Sequence, residues 1–212
     1  MPNGNDLLGT TGMTYLGTVV SEDGHVCNEL ARRIGCARAD FKSLCQIWNH
    51  STLPWRKKLA IFASLIESKL LYGLACCCFT VAEERQLNGF QARCIRQILR
   101  IKPSFYSRVS NKSVLLKAEH LPATELLRQQ QLKLLGKVLR APLLSPLHKA
   151  AMIPGTDQPI TSFYVRRRGR PRKEWVSTVM KTAHQRNPDC HDMFALAQDE
   201  KLWQQCVQKP AL

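Results

Sequence analysis

Residues 83–100 read EERQLNGFQARCIRQILR and set the pattern for most of the chain. Their apolar side chains recur at steps of three or four, which is the spacing of one face of an α-helix. They are Leu87, Phe90, Cys94 and Ile98. The arginines Arg93, Arg96 and Arg100 fall on a second face, about 130° away around the helix. The stretch therefore predicts a helix that buries one side and exposes a cationic stripe on the other.

The same helical spacing extends along the chain in both directions. It predicts further helices over 26–48, 54–70, 112–119, 123–139, 171–186 and 193–207. Ser51 and Thr52 are the expected N-cap of the helix over 54–70, and Pro103 and Pro142 are expected to end two others. The sequence therefore predicts a chain that is helical over most of its length.

One segment near the start departs from helical spacing. Residues 13–20, MTYLGTVV, are aromatic and β-branched, and the turn signal Glu22-Asp23-Gly24 follows them. A single strand is not stable in water, so this one needs a partner that the twelve residues before it hardly supply. The predicted fold class is mainly α, a helical bundle with a short N-terminal β strand or hairpin.

The composition is that of a globular and strongly basic chain. Over 212 residues, 31 Lys and Arg oppose 16 Asp and Glu, for a formal net charge of +15. An anionic partner relieves such self-repulsion, and nucleic acid is the commonest one. The nine cysteines include three in a row at 76–78, unlike a disulfide-stapled scaffold. Without an apolar leader or a membrane-length apolar stretch, the chain is expected to be intracellular, with no membrane partner.

The positive charge is concentrated in the middle of the chain. Residues 81–140 carry 12 basic and 4 acidic side chains, against 8 and 6 in residues 1–80. Lys102 follows the first stripe, and Lys133, Lys137 and Arg140 form a second one along the helix predicted over 123–139 and the residue after it. The stripes are either solvated helix surface or a surface that follows a phosphate backbone without reading its sequence. The scarcity of interleaved acid favours the second interpretation.

A separate cationic run closes a segment that contains prolines and glycines. Its members are Arg166, Arg167, Arg168, Arg170, Arg172 and Lys173. The string Arg168-Gly169-Arg170-Pro171 is the core of an AT-hook, in which extended Arg-Gly-Arg enters an A·T-rich minor groove. A basic interdomain linker has the same string, so both interpretations remain open.

Residues suited to catalysis are not grouped in this sequence. Metal-dependent phosphoryl transfer needs converging carboxylates. The acidic pairs Glu22-Asp23, Glu83-Glu84 and Asp199-Glu200 are adjacent residues, which diverge by about 100° on a helix. We therefore predict no catalytic residue, no metal and no cofactor in this chain.

The cysteine and histidine positions do not predict a zinc site. Cys27, Cys36 and Cys45 recur every nine residues on alternate helix faces, and they are expected to be small core residues. One set of four remains, with a spacing that fits no tetrahedral pattern. It consists of His184, Cys190, His191 and Cys206.

Several short motifs, taken in order, resemble the end of the reverse transcriptase domain of non-LTR, LINE-type retrotransposons. The motifs are Tyr15-Leu16-Gly17 with Asp23-Gly24 and Arg33-Ile34; Lys69-Leu70-Leu71-Tyr72-Gly73; Phe90-Gln91-Ala92-Arg93-Cys94-Ile95-Arg96 with Ile98-Leu99 and Ile101; Ser110-Asn111 before Val114-Leu115; Leu135-Gly136 with Arg140; and Arg168-Gly169-Arg170-Pro171 before Trp175. Each is short, but their order and spacing over residues 13–180 make the resemblance specific.

The resemblance implies a role for each segment. Tyr15, Leu16 and Gly17 would belong to the primer-grip hairpin that closes the palm, and the helices after it to a thumb that holds a template–primer by its phosphates. The implied division is residues 1–24 as the end of a palm, 25–141 as a helical thumb-like region, 142–170 as a basic linker and 171–212 as a small helical segment. The implied partners are RNA, an RNA–DNA hybrid or DNA, with an upstream palm and fingers region on a longer polypeptide. A nuclear location is implied if the retroelement function is retained.

The chain also departs from the family pattern. The catalytic aspartates of the family lie upstream of the Tyr-Leu-Gly strand, and a C-terminal zinc knuckle seen in many relatives is not recognisable. The aromatic residue that follows the Leu-Tyr-Gly element is replaced by the run of cysteines at 76–78. The prediction is therefore a nucleic-acid-binding fragment of a reverse transcriptase that lacks the catalytic palm and does not polymerise alone.

Two alternatives to this prediction remain. The first is a small DNA-binding protein that uses residues 166–173 in A·T-rich minor grooves. The second is a non-functional retroelement remnant, whose thumb helices would expose apolar residues that normally pack on a palm. Those residues are Val26, Leu30, Phe41, Leu59, Phe62 and Ile66.

Overall fold

The computed structural model describes residues 11–21, 26–50, 52–153, 159–160, 174–190 and 192–209. This part of the chain is mainly helical and carries a two-stranded antiparallel hairpin near its start, so the predicted fold class is confirmed. The chain divides into two compact units, Met1–Gly73 with Phe79–His120 and Leu74–Cys78 with Leu121–Leu212. None of the described helices is both long enough and apolar enough to cross a membrane.

The first unit consists of a hairpin followed by helices of very different length. Its elements are β1 (Gly12–Tyr15), β2 (Thr18–Ser21), α1 (Cys27–Ser43), α2 (Cys45–Asn49), α3 (Trp55–Ile61), a π-helical turn (Phe62–Glu67), α4 (Ser68–Leu71), α5 (Val81–Ile98), α6 (Ser104–Ser107) and α7 (Asn111–Lys117). Helix α1 packs against the π-helical turn, α4 and α5. All six apolar residues that the remnant hypothesis expects to be exposed are buried in this packing, so that expectation is wrong.

The segment predicted as one strand forms both strands of the hairpin. Met13 pairs with Val20 and Tyr15 with Thr18. The turn between them lies at Leu16 and Gly17, with φ of 47° and 75°, the left-handed backbone that two-residue hairpin turns require. The strand therefore finds its partner within the same segment, and the expectation of a missing partner is wrong. Leucine is not a turn signal, which is why the sequence places the turn at residues 22–24, outside the described residues.

Helix α5 has the buried face that its sequence predicts. Leu87, Phe90, Cys94 and Ile98 are all buried. The helix begins slightly earlier than predicted because Thr80 and Glu83 form a capping box, in which Thr80 Oγ1 accepts from the Glu83 N–H at 3.3 Å and Glu83 Oε2 accepts from the Thr80 N–H at 2.7 Å.

Two other helix boundaries differ from those predicted. The helix over 26–48 is interrupted at Leu44, which separates α1 from α2. The N-cap of α3 is Pro54, without a side-chain cap, whereas Thr52 Oγ1 lies 3.0 Å from His50 Nδ1. Thr52 is thus not the cap of this helix, and Ser51 lies outside the described residues.

The second unit is built around one long helix. Its elements are a 3₁₀ turn (Leu74–Cys76), α8 (Ala123–Arg140), α9 (Pro146–Lys149), α10 (Trp175–Arg186), α11 (Met193–Gln198) and α12 (Glu200–Gln208). Helix α8 packs against α10, α11 and α12. Consequently the predicted region 25–141 falls in both units, since α8 belongs with the C-terminal helices. The helix predicted over 193–207 is interrupted at Asp199, whose carboxylate caps α12.

A tryptophan lies directly on α8. Trp203 is buried, and its Nε1 donates to the carbonyl oxygen of Leu132 at 3.0 Å. A Cβ atom at Gly136 would lie 2.2 Å from that nitrogen. Glycine at 136 therefore makes room for the indole ring.

Candidate nucleic-acid interface

Arg93 is an exposed cation in the second half of α5. The neighbouring Cys94 is buried, and burial raises the pKa of its thiol to about 12, while the charges of Arg93 and Arg38 act against that rise. Both arginine side chains are exposed. The effect of Arg38 on Cys94 is not predicted from the sequence, because it requires the packing of α1 on α5.

The helical position of Arg96 predicts that its side chain lies on the exposed stripe, but the side chain is buried. Its side chain is 6% exposed. Its guanidinium donates to the carbonyl oxygens of Lys102 at 3.3 Å and Val109 at 2.6 Å, and to Asn111 Oδ1 at 3.0 Å. The expectation of an outward Arg96 is wrong, because the chain after α5 folds back over this side of the helix and its carbonyl groups need donors.

Arg100 and Lys102 remain exposed beyond the end of α5. Arg100 has a left-handed backbone with φ of 55°, which ends the helix, and it donates to the carbonyl oxygen of Asn49 at 3.2 Å. Of the predicted first stripe, Arg93 and Arg100 are therefore exposed and Arg96 is not, while Lys102 adds an exposed cation after the helix.

A cleft of about 550 Å³ opens beside these residues. Its polar lining consists of Arg93, Arg96, Gln97, Ser104 and Asn111. Among the described residues that line it, none carries a negative charge. The cleft is thus positive, with amide and hydroxyl groups that can donate hydrogen bonds to an anion.

Two aromatic side chains follow the cleft residue Ser104 directly. Phe105 is 84% exposed and Tyr106 is 73% exposed, and their ring centroids lie 5.3 Å apart in an edge-to-face arrangement. Their exposure is not predicted from the sequence, because two adjacent aromatic residues in a short segment resemble core residues in a one-dimensional pattern.

The structure describes the whole of residues 81–140, and most of the acidic side chains in this segment form hydrogen bonds or ion pairs with other residues. Glu83 belongs to the capping box of α5, Glu119 pairs with Arg56 at 3.2 Å, and Glu125 pairs with the buried Arg186. Glu84 lies in the first turn of α5, away from its cationic end. These carboxylates therefore leave the cations at the end of α5 largely unneutralised.

The second predicted stripe is present on α8 in part. Lys133 and Lys137 are exposed, whereas Leu132 and Val138 beside them are buried. Arg140 is half-buried, and its Nη1 donates to the carbonyl oxygen of Ala197 at 2.9 Å. The stripe thus consists of two exposed lysines and an arginine that also forms a hydrogen bond from α8 to α11.

The residues predicted to resemble a primer grip are anchored to the helices. Gly17, in the hairpin turn, presents its carbonyl oxygen to the guanidinium groups of Arg32 and Arg33, the latter at 2.5 Å. The Tyr72 hydroxyl donates to the carbonyl oxygen of Leu16 at 3.2 Å, and the Arg33 guanidinium lies 4.6 Å from the centre of the Tyr72 ring. Tyr15 is exposed on β1.

The basic run at residues 166–173 lies outside the described residues, as does His191. In the described part of the chain, no three His, Cys, Asp or Glu side chains converge as metal ligands. Cys27 and Cys45 are exposed and Cys36 is half-buried, so the expectation that these three are core residues is wrong. A hydrogen bond with Cys77 lowers the pKa of the Cys76 thiol to about 6.

Comparisons of the chain with protein-family models, with curated proteins and with solved structures give no significant match. The resemblance to the reverse transcriptase family therefore rests on the sequence motifs alone.

Proposed function

We propose that this chain binds nucleic acid through the exposed cations at the end of α5, as the thumb and downstream part of a LINE-type reverse transcriptase. One observation supports the proposal above others: residues 81–120 expose seven cations, while the acids of the same segment are engaged in caps and pairs or lie away from the cleft. The exposed cations are Arg85, Arg93, Arg100, Lys102, Arg108, Lys112 and Lys117.

The expected mode of binding is contact with phosphate groups. Lysine and arginine on helix surfaces position a nucleic acid by its backbone and do not read base edges, so the binding depends little on sequence. RNA, an RNA–DNA hybrid and DNA are all suitable partners. A chain with this function would act in the nucleus. Lys133 and Lys137 on α8 offer a further phosphate contact.

Charge reversal tests the proposal directly. The variant R93E/R100E should bind an RNA–DNA hybrid at least about tenfold more weakly, and its salt dependence should be shallower by about two phosphate contacts. The control K42E/K57E makes the same change in net charge at two exposed lysines of the same unit. Fluorescence anisotropy on both variants measures the difference. Equal affinities for the two variants would contradict the assignment of this surface.

Competition between duplexes separates this proposal from the AT-hook alternative. Phosphate contacts predict nearly equal affinity for A·T-rich and G·C-rich duplexes of one length. A strong preference for A·T-rich DNA that is lost when Arg168 and Arg170 are changed to alanine would favour the alternative.

A further inference from the structure

The loop after α5 holds its exposed aromatic residues in a defined place. Arg96 donates to the carbonyl oxygens on both sides of α6, those of Lys102 and Val109, and lies within 3.5 Å of the Ser107 hydroxyl. Since Arg96 belongs to a long and well-buried helix, α6 is fixed to the core of the first unit. Phe105 and Tyr106 are thus exposed to solvent on the supported helix α6, at a cost in exposed apolar surface.

The surroundings of these rings indicate what they contact. Arg93 and Arg96 line the adjacent cleft, and Lys102 and Arg108 flank α6 in the chain with exposed side chains. Exposed aromatic rings set among cations are the arrangement that binds single-stranded nucleic acid, in which bases stack on the rings and phosphates contact the cations. An apolar protein partner would not need this density of positive charge, whereas a polyanion does.

We propose that the cleft at the end of α5 and the Phe105–Tyr106 pair form a binding site for a single-stranded stretch of RNA or DNA. Phosphates contact Arg93 and Lys102, and one or two bases stack on the exposed rings. This inference rests on the proposed function and sharpens it, because it assigns the single strand to one place and leaves the remaining cations to contact duplex. In a duplex the base faces are stacked on one another, so they are not available to these rings.

The experiment compares single strands with a duplex. Fluorescein-labelled oligo-U, oligo-dT and an RNA–DNA hybrid of the same length are titrated with the full chain and with F105A/Y106A. Loss of stacking should weaken both single strands by about tenfold or more and leave the hybrid almost unchanged. The ratio of the oligo-U and oligo-dT affinities shows whether RNA or DNA is preferred.

Two further variants test whether stacking is the cause. F105L/Y106L keeps apolar surface but removes the aromatic faces, and it should bind single strands as weakly as F105A/Y106A does. F105W/Y106W keeps the faces and should bind as the natural chain does. L116A removes another exposed apolar side chain of the same unit, and it should change nothing. Since all of these side chains are exposed, a thermal melt is expected to show the same transition for every variant.

The outcomes separate this inference from the proposed function. If R93E/R100E weakens binding while F105A/Y106A leaves single-strand affinity unchanged, the stacking site is refuted and the cationic surface stands. If F105L/Y106L binds as the natural chain does, apolar docking replaces stacking and the inference is overturned. If none of the variants alters the affinity for any of the three probes, both are overturned.

Discussion

Helices α5 and α8 are both eighteen residues long and carry cations opposite an apolar face, but they use those cations differently. In α5, Arg96 is buried and supports the loop that follows, while Arg93 is left exposed. In α8, Lys133 and Lys137 are exposed, and Arg140 donates a hydrogen bond to a carbonyl group of α11.

The difference follows from the chemistry of the side chains and from what lies beyond each helix. A guanidinium has five N–H donors in a rigid fork, so one arginine can satisfy several carbonyl groups of a loop. A lysine ammonium is more strongly hydrated and stays in water unless it is enclosed. Helical position therefore identifies the cationic face, whereas long-range chain folding decides which of its arginines become structural.

The largest effect is expected from removing the structural arginine. R96A leaves the carbonyl groups of Lys102 and Val109 without their donor, and it should lower the free energy of unfolding by about 3 kcal/mol. R93A removes an exposed side chain and should change the free energy of unfolding by less than about 0.5 kcal/mol. Chemical denaturation of both variants measures the contrast. Equal effects for the two arginines would remove the distinction between the structural and the exposed cation.

The corresponding test in α8 is a substitution at Gly136, the glycine against which Trp203 packs. A methyl group at position 136 would overlap the indole of Trp203, so G136A should destabilise the protein by about 2 kcal/mol. G35A is the matched control, because a Cβ at that helical glycine meets nothing within 4 Å. It should stabilise the protein by about 0.5–1 kcal/mol. A neutral G136A in thermal melts would show that the indole does not lie on α8 as described.

A smaller effect is expected from pH at Glu29, the buried carboxylate of α1 that pairs with the buried Arg33. Burial alone would raise the pKa of Glu29, but hydrogen bonds from Arg32, the Val19 N–H and Arg33 outweigh it and lower the pKa below its usual 4.5. The charged carboxylate therefore stabilises the fold above pH 4.5, and this contribution is lost as the pH falls below that value. Urea unfolding measures the free energy of unfolding of the natural chain and of E29Q from about pH 6 to about pH 3. The difference between the two proteins should shrink as the pH falls. Parallel curves would contradict the role of Glu29.

The sequence predicts the helical class, the buried face of α5 and the existence of two cationic faces, because these follow from local periodicity. It does not predict that Arg96 is buried, because that depends on where the chain returns after Ile101. Nor does it predict the hairpin turn at Leu16, since the left-handed backbone there is held by contacts from Tyr72 and the arginines of α1. The effect of Arg38 on the Cys94 thiol likewise requires the packing of α1 on α5.

The dependence of binding on salt tests the central claim most directly, namely that exposed cations of this chain hold the phosphates of a nucleic acid. If about six phosphates are contacted, a plot of log K against log salt concentration should fall with a slope of about −5 on a duplex. The measurement needs only the natural chain and a labelled duplex. A steep linear decrease is the predicted result, and an affinity that does not change with salt would contradict the claim.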